Sequence, residues 1–315
     1  MSRVIPRLAR LRTRPSLSEY HEVETRLRSS HWELLDDSIS AYPAKQLYAT
    51  LQSIIDPTTR FMSTNMESLN KRFCKGKTVP YGYSMIYCNP VSGENELGFD
   101  GFDNYHAPCT ADKDFFHRRM WVAGGFQFNP ERPLKFGDEV SFTETVDKMR
   151  QYKRLEQIGV DYKREYKVDN VWSVIETRKL YYIQKTYTEE RYHLVEDSEP
   201  DHTAVIVPST VSIFRSSALM FNSHLVHYNP IYGSRYEDYP SIIVSGPLLV
   251  QLMLHFWQQH NPDAIALSLK YKIINPSFAN ERIDLCIGKT SKHRHRLWAN
   301  SRDGDLCFVA DLIIA

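Results

Sequence analysis

The run Pro247-Leu248-Leu249-Val250-Gln251-Leu252-Met253-Leu254-His255-Phe256-Trp257 constrains the fold more than any other stretch of this chain. Gly246 and Pro247 suit the opening of a helix, because proline is preorganised for the first turn and has no N–H to leave unpaired. Only Gln251 and His255 interrupt the apolar sequence. A helix that is apolar on nearly every side has to be enclosed by other elements. The next segment supplies an enclosing element: Ile265, Leu267, Leu269, Tyr271 and Ile273 alternate with Ala266, Ser268, Lys270 and Lys272. That period of two predicts a half-buried strand. Residues 282–289, 296–301 and 306–314 extend it into an antiparallel meander, so a sheet curled around one buried helix is expected.

The first half reads as a similar α+β unit. Pro43 with Leu47, Leu51, Ile54 and Ile55 predicts a short amphipathic helix over 43–55. Residues 57–118 carry Gly, Pro, Asn and scattered aromatics without a period, as expected of a segment that wraps a functional surface. Strands are predicted at 126–128, 140–146, 157–168 and 171–183, with Asp169-Asn170 as a hairpin turn. The polar, acidic residues 185–206 read as a linker, 211–214 as a short strand and 217–227 as a short helix or turn. The expected organisation is therefore an N-terminal unit at 40–184, a linker at 185–206 and a C-terminal catalytic unit at 207–315.

Charge is uneven only at the start, where Arg3, Arg7, Arg10, Arg12 and Arg14 precede the first acid, Glu19. An arginine-rich, acid-free segment with serines reads as a mitochondrial presequence over 1–18. Without those five arginines the formal charge of +1 becomes −4, which argues against general nucleic-acid binding. No apolar run approaches the roughly 20 residues of a membrane helix. The five cysteines, Cys74, Cys88, Cys109, Cys286 and Cys307, form no close pair, which argues against a disulfide framework or structural zinc.

Chemistry concentrates in two short segments. Asn222-Ser223-His224-Leu225-Val226-His227 places two imidazoles one helical turn apart. Val244-Ser245-Gly246-Pro247-Leu248-Leu249 offers free backbone N–H groups at the start of the buried helix. Proton transfer beside such a donor is what chemistry at a thioester carbonyl requires. Each feature also has a plainer reading, a capping histidine pair and an ordinary helix start. A metal site from His224, His227 and His255 is disfavoured, since no carboxylate sits at ligand spacing and His255 belongs to the buried helix.

Several motifs together resemble a known family. Residues 214–228, Tyr239-Pro240 and 244–249 are similar to the MaoC-type (R)-specific enoyl hydratases and dehydratases of the hot-dog fold. So are Glu96-Leu97-Gly98 with Asp100-Gly101, Arg118-Arg119-Met120-Trp121 with Gly124-Gly125, and Pro133-Leu134 with Gly137-Asp138. Within that group the chain looks most like the fungal mitochondrial 3-hydroxyacyl-thioester dehydratases of type 2, with bacterial mesaconyl-C4-CoA hydratase as a cousin. The resemblance covers roughly residues 40–315 and implies a double hot-dog.

It also implies a catalytic turn of aspartate, asparagine and histidine. Aligned on the last of these, His227 falls at the family histidine, Asn222 at the aspartate and His224 at the asparagine. An amide cannot take up a proton at neutral pH and an imidazole can, so the proton inventory of this turn differs from the signature. The Asn-x-His-x-x-His pattern is similar to that of the fungal subgroup. The catalytic candidates are accordingly Asn222, His224, His227 and Gly246. Ser245, Leu248, Arg118 and Arg119 are the substrate-binding candidates, the arginines facing a pantetheine phosphate or, alternatively, forming a structural ion pair.

The implied activity is dehydration of a (R)-3-hydroxyacyl thioester in matrix type II fatty-acid synthesis. It needs no metal or other cofactor, and its products would feed lipoate precursors. The carrier is an acyl carrier protein or CoA; the basic loop 292–296 is a docking candidate for the acidic surface of a carrier protein, beside its plainer reading as a solvated hairpin tip. A homo-oligomer is compatible with this reading. Rival readings are an acyl-CoA hydratase, a non-catalytic acyl-thioester-binding module and a thioesterase.

Overall fold

The apolar run is a helix, Gly246–His260, and every residue from Pro247 to Trp257 is buried. A computed structural model describes residues 11–62, 66–189 and 191–315. Its elements in chain order are β1 (Leu11–Arg12), α1 (Leu17–Ser29), β2 (His31–Asp36), α2 (Ala41–Ile55), α3 (Met66–Arg72), β3 (Lys113–Asp114) and β4 (Arg118–Phe128). Then follow β5 (Val140–Tyr152), β6 (Gln157–Val168), β7 (Val171–Ile183), β8 (His202–Ile206), α4 (Thr210–Leu219), α5 (Pro230–Tyr236) and α6 (Gly246–His260). The meander β9 (Ala266–Ile273), β10 (Ile283–Ser291), β11 (Arg294–Ser301) and β12 (Leu306–Ile314) closes the chain.

One ten-stranded sheet runs β2-β5-β6-β7-β4-β9-β12-β11-β10-β8. Read inward from either edge, each half has the same plan: a first strand at the edge, the last three strands next to it, and the strand after the helix at the seam. Each half is a five-stranded antiparallel sheet with its own helix, α2 or α6, and the two join along β4 and β9. This is the α+β double hot-dog architecture. The main core is continuous across it, with Leu47 and Leu51 of α2 in one cluster with Leu248, Leu252 and Trp257 of α6 and Leu269 and Tyr271 of β9.

Local chemistry explains several elements. The β6–β7 hairpin closes on Asp169 (φ 51°) and Asn170 (φ 62°), the two left-handed residues that a type I′ turn requires. Ser245 caps α6 by accepting from the Leu248 N–H at 3.3 Å. The polar interruptions of α6 find partners at a distance in sequence: His255 meets Gln52 at 3.1 Å and Tyr83 at 3.4 Å, and the Gln251 side-chain oxygen accepts from the Ser216 hydroxyl at 3.4 Å.

The structure corrects four expectations. Residues 211–214 belong to helix α4, not to a strand, because Ser209 caps the Ser212 N–H and the element packs on α2. The N-terminal unit begins before residue 40, since β2 is its edge strand. The expected linker contains β8, which pairs with β10 at the other edge. Residues 1–10 of the expected presequence lie outside the described residues, but 11–18 are part of the fold. Leu11–Arg12 pairs in parallel with Lys113–Asp114, Arg12 lies 4.4 Å from the Phe99 ring centre, and Ser16 caps α1.

The seam needs glycine. A Cβ on Gly124 would stand 2.3 Å from the Thr177 carbonyl oxygen and 2.4 Å from the Tyr271 hydroxyl, so β4 could not keep its place between β7 and β9. Gly124→Ala is expected to destabilise the protein by ~1–3 kcal/mol, the usual cost of overpacking. A fall in the urea midpoint at unchanged m-value would show it, and an unchanged midpoint would show that the seam is looser than this.

Candidate active site

The segment 222–227 is held by the first half of the chain. Helix α4 ends with Phe221 in the left-handed region (φ 53°) and with the Asn222 N–H donating to the Ser217 carbonyl. The Asn222 side-chain oxygen accepts from the His224 N–H at 3.0 Å, which tightens the turn. The turn then docks on Asp100-Gly101: the Leu225 N–H donates to the Asp100 carbonyl at 2.9 Å, and the Ser223 hydroxyl to the Gly101 carbonyl at 2.5 Å. Gly101 (φ +77°) has no room for a Cβ, which would lie 2.7 Å from the Ser223 carbonyl oxygen.

His227 closes the turn against the segment leading into α6. The Ile243 N–H donates to the Val226 carbonyl at 3.1 Å, and His227 Nδ1 lies 2.9 Å from the Ile243 carbonyl oxygen. A carbonyl can only accept, so Nδ1 carries the proton and Nε2 keeps its lone pair. Burial lowers the His227 pKa to about 4, with the bond to Ile243 opposing it, so the ring is neutral at physiological pH.

Gly246 follows Ile243 by three residues, at most about 11 Å of extended chain. Of the donors at the start of α6, Leu248 N–H goes to the Ser245 hydroxyl and Leu249 N–H to the Ser245 carbonyl, while Pro247 has none. The Gly246 N–H is what the cap leaves over. Trp121 and Ile273 crowd this glycine, with side-chain atoms 3.2 and 2.6 Å from where a Cβ would stand. Trp121 is itself fixed by its indole N–H to the Tyr271 hydroxyl at 2.8 Å.

His224 faces inward. Its Nε2 lies 3.5 Å from Asp100 Oδ2 and 3.9 Å from Glu237 Oε1, and its ring meets that of His227 edge to face at 5.3 Å. Burial, then the neighbouring His227 and Arg119, hold its pKa well below the ordinary histidine value. Asp100 and Glu237 were not among the residues singled out from the sequence. They are separated from the turn by 122 and 10 residues and share no local spacing with it; the Asp100-Gly101 motif was the only signal.

Four other sequence candidates do different work. Arg119 binds no phosphate: its Nε and Nη2 reach both Asp100 carboxylate oxygens at 2.6 and 3.0 Å, and Nη1 donates to the Asp103 carbonyl at 2.7 Å. Arg118 donates to the Lys185 carbonyl at 2.8 Å and the Tyr239 hydroxyl at 2.9 Å. Both are buried; Arg119 forms the ion pair of the alternative reading, whereas the partners of Arg118 are neutral. Ser245 is occupied as the helix cap, and the Leu248 side chain is fully buried in the core and offers no surface to a substrate.

In the loop 292–296, His295 is buried and accepts from the Trp257 indole at 2.7 Å, and Arg296 pairs with Glu196 at 2.8 Å and Asp311 at 3.1 Å. His255 contacts α2, well along α6 from the turn, and among the described residues no group of three His, Cys, Asp or Glu side chains is placed to hold a metal. A cavity of about 200 Å³, lined by Tyr81, Ser84, Phe128 and Ala266, lies at the ends of β4 and β9 away from Trp121 and Ile273 and does not include the histidines.

Residues 82–279 match the family model for hydroxyacyl-thioester dehydratase type 2. The chain belongs to that family. Its members are hydro-lyases acting on hydroxyacyl thioesters. A mitochondrial hydroxyacyl-thioester dehydratase type 2 of Schizosaccharomyces pombe is 25% identical over 299 residues, 87% of this chain and 94% of the relative. The mesaconyl-C(4)-CoA hydratase of Chloroflexus aurantiacus is 39% identical over 69 residues, 21% of this chain and 25% of the relative. A MaoC-like dehydratase from Phytophthora capsici shares the fold, with TM-score 0.66 at 10% identity over 94% of this chain and 98% of that one.

The site has a measurable pH signature. An imidazole whose pKa is depressed in the folded state binds its proton more readily when unfolded. Stability therefore rises with pH from about 4 to the ordinary value of 6.5, and is lost as pH falls through that window. His227→Gln is expected to remove on the order of 3 kcal/mol of that pH dependence. Urea unfolding of both proteins between pH 4 and 7 would show converging stabilities at the acid end; parallel curves would show that His227 is not buried neutral.

Proposed function

We propose that this protein removes water from (R)-3-hydroxyacyl thioesters to give trans-2-enoyl thioesters. The observation that carries the reading is the His227–Ile243 contact, which leaves a neutral imidazole with an open Nε2 beside the start of α6. His227 Nε2 takes the proton from Cα, the Gly246 N–H and the positive end of the α6 dipole receive the enolate oxygen, and one of the two imidazoles protonates the hydroxyl, which leaves as water. With its carbonyl oxygen committed to the turn, Asn222 has only its amide N–H₂ to offer the departing hydroxyl.

For the carrier and the setting, we infer an acyl carrier protein and type II fatty-acid synthesis in the mitochondrial matrix, with products feeding lipoate precursors. The name of the fission yeast relative, matched along nearly its whole length, supports the compartment. The short, closer likeness to mesaconyl-C(4)-CoA hydratase favours a second reading, in which the same site hydrates an enoyl-CoA.

Incubation with a (R)-3-hydroxyacyl thioester, following enoyl absorbance and free thiol together, tests the reaction class. Enoyl product without thiol is expected, and His227→Ala should lower kcat by roughly 10²–10⁴ while leaving the fold intact. Thiol release would make the protein a thioesterase, and binding without either product a non-catalytic module. Carrier-protein and CoA substrates run side by side separate the two hydro-lyase readings.

A further inference from the structure

Beneath the turn lies a buried cluster that base chemistry at His227 leaves unexplained. Glu237, at the C-terminal end of α5, is 1% exposed, and one of its carboxylate oxygens accepts from the Tyr232 hydroxyl at 2.9 Å. Its other oxygen is buried and, among the described residues, has no hydrogen-bond partner, and the same holds for His224 Nε2. These orphaned atoms belong to neighbouring groups, with Glu237 Oε1 3.9 Å from His224 Nε2. Leaving two buried polar atoms unpaired is costly, and such a cost is usually retained at a functional site.

We propose that Glu237 and His224 form the acid side of this site, a proton relay that takes the place of the carboxylate missing at position 222. The proposal rests on the dehydratase reading above. As the C–O bond breaks, the His224 nitrogen away from Glu237 gives its proton to the departing hydroxyl, which leaves as water. The Glu237 carboxyl restores that proton through Nε2 and becomes a carboxylate. His227, having taken the Cα proton, returns it across the imidazole pair to Glu237, and the enzyme ends as it began. The relay needs the 3.9 Å gap to close by about 1 Å, an adjustment of the kind that substrate binding makes in catalytic hydrogen bonds.

The surroundings suit the task. Glu237 is faced by Asp100 from the loop before β4, by Arg118 and Arg119 from β4, by Tyr232 from α5, by Tyr239 and by His224. Burial, then the charge of Asp100, raise its pKa to about 8, against the hydrogen bond from Tyr232 and the two arginines, so it carries a proton at neutral pH. Asp100, paired with Arg119 and 3.5 Å from Nε2, stabilises the imidazolium that forms in transit.

The test is the pH profile of kcat for the full chain, wild type, Glu237→Gln and Tyr232→Phe, on a (R)-3-hydroxyacyl thioester. A basic limb near pH 8 is expected in the wild type. Glu237→Gln should lose at least tenfold in kcat at pH 7, with KM within about twofold and the limb gone. Tyr232→Phe removes a hydrogen bond that lowers the Glu237 pKa, so its limb should move to higher pH, a shift that lost packing alone would not cause. Infrared titration of the carboxyl C=O band, wild type against Glu237→Gln, reads the same proton without turnover. A buried carboxyl band lost near pH 8 in an inactive wild type would sink the dehydratase reading and leave the titrating group. Profiles of wild type and both variants that coincide in an active enzyme would overturn the relay and leave the dehydratase.

Discussion

Asp100 holds the two halves of this site together. Its side chain is gripped by both forks of Arg119, its main-chain carbonyl receives the Leu225 N–H, and one carboxylate oxygen lies beside His224. Both partners of the ion pair are almost wholly removed from water. Such a pair gives little net stability over well-packed apolar groups, yet removing one member leaves an uncompensated buried charge, at a cost of roughly 3–5 kcal/mol. The pair therefore works as a registration device. It fixes where the turn from the second half rests on the loop from the first.

The second constraint is the enclosed helix. Because α6 is buried along its whole apolar length, its first turn is rigid, and Gly246 is held against Trp121 and Ile273. Ile243 ties that start to the turn 222–227, its carbonyl to the His227 side chain and its N–H to the Val226 carbonyl. On the proposed reading, the base and the donor at the helix start are thus joined through Ile243. Rigid placement of this kind lets a weak base act on a weakly acidic carbon, since nothing has to reorganise as charge develops.

Much of this was legible in the sequence. The apolar run gave the buried helix, alternation the strand β9 and the Asp169-Asn170 pair the β6–β7 hairpin, because each is specified by neighbours in the chain. The stretch 211–214 misled because Val, Ile and Phe favour strands, whereas the Ser209 cap and the contact with α2 decide for helix. The turn 222–227 and Gly246 stood out as motifs. Their buried partners did not: Asp100 sits in a stretch without periodicity, and Glu237 follows a seven-residue helix that gives no sign of facing inward. For Arg118 and Arg119 the choice between a phosphate contact and a structural ion pair stayed open for the same reason, since the groups that occupy them lie on other elements. Pairings of that sort are made by the tertiary fold.

The account turns on a thioester lying between the imidazole of His227 and the start of α6. The most direct measurement is a crystal structure with an unreactive 3-hydroxyacyl thioester analogue bound. It should place the carbonyl oxygen within hydrogen-bond reach of the Gly246 N–H and Cα against His227 Nε2. An analogue seated in the cavity beside Tyr81 and Ser84, with the histidines untouched, would contradict it.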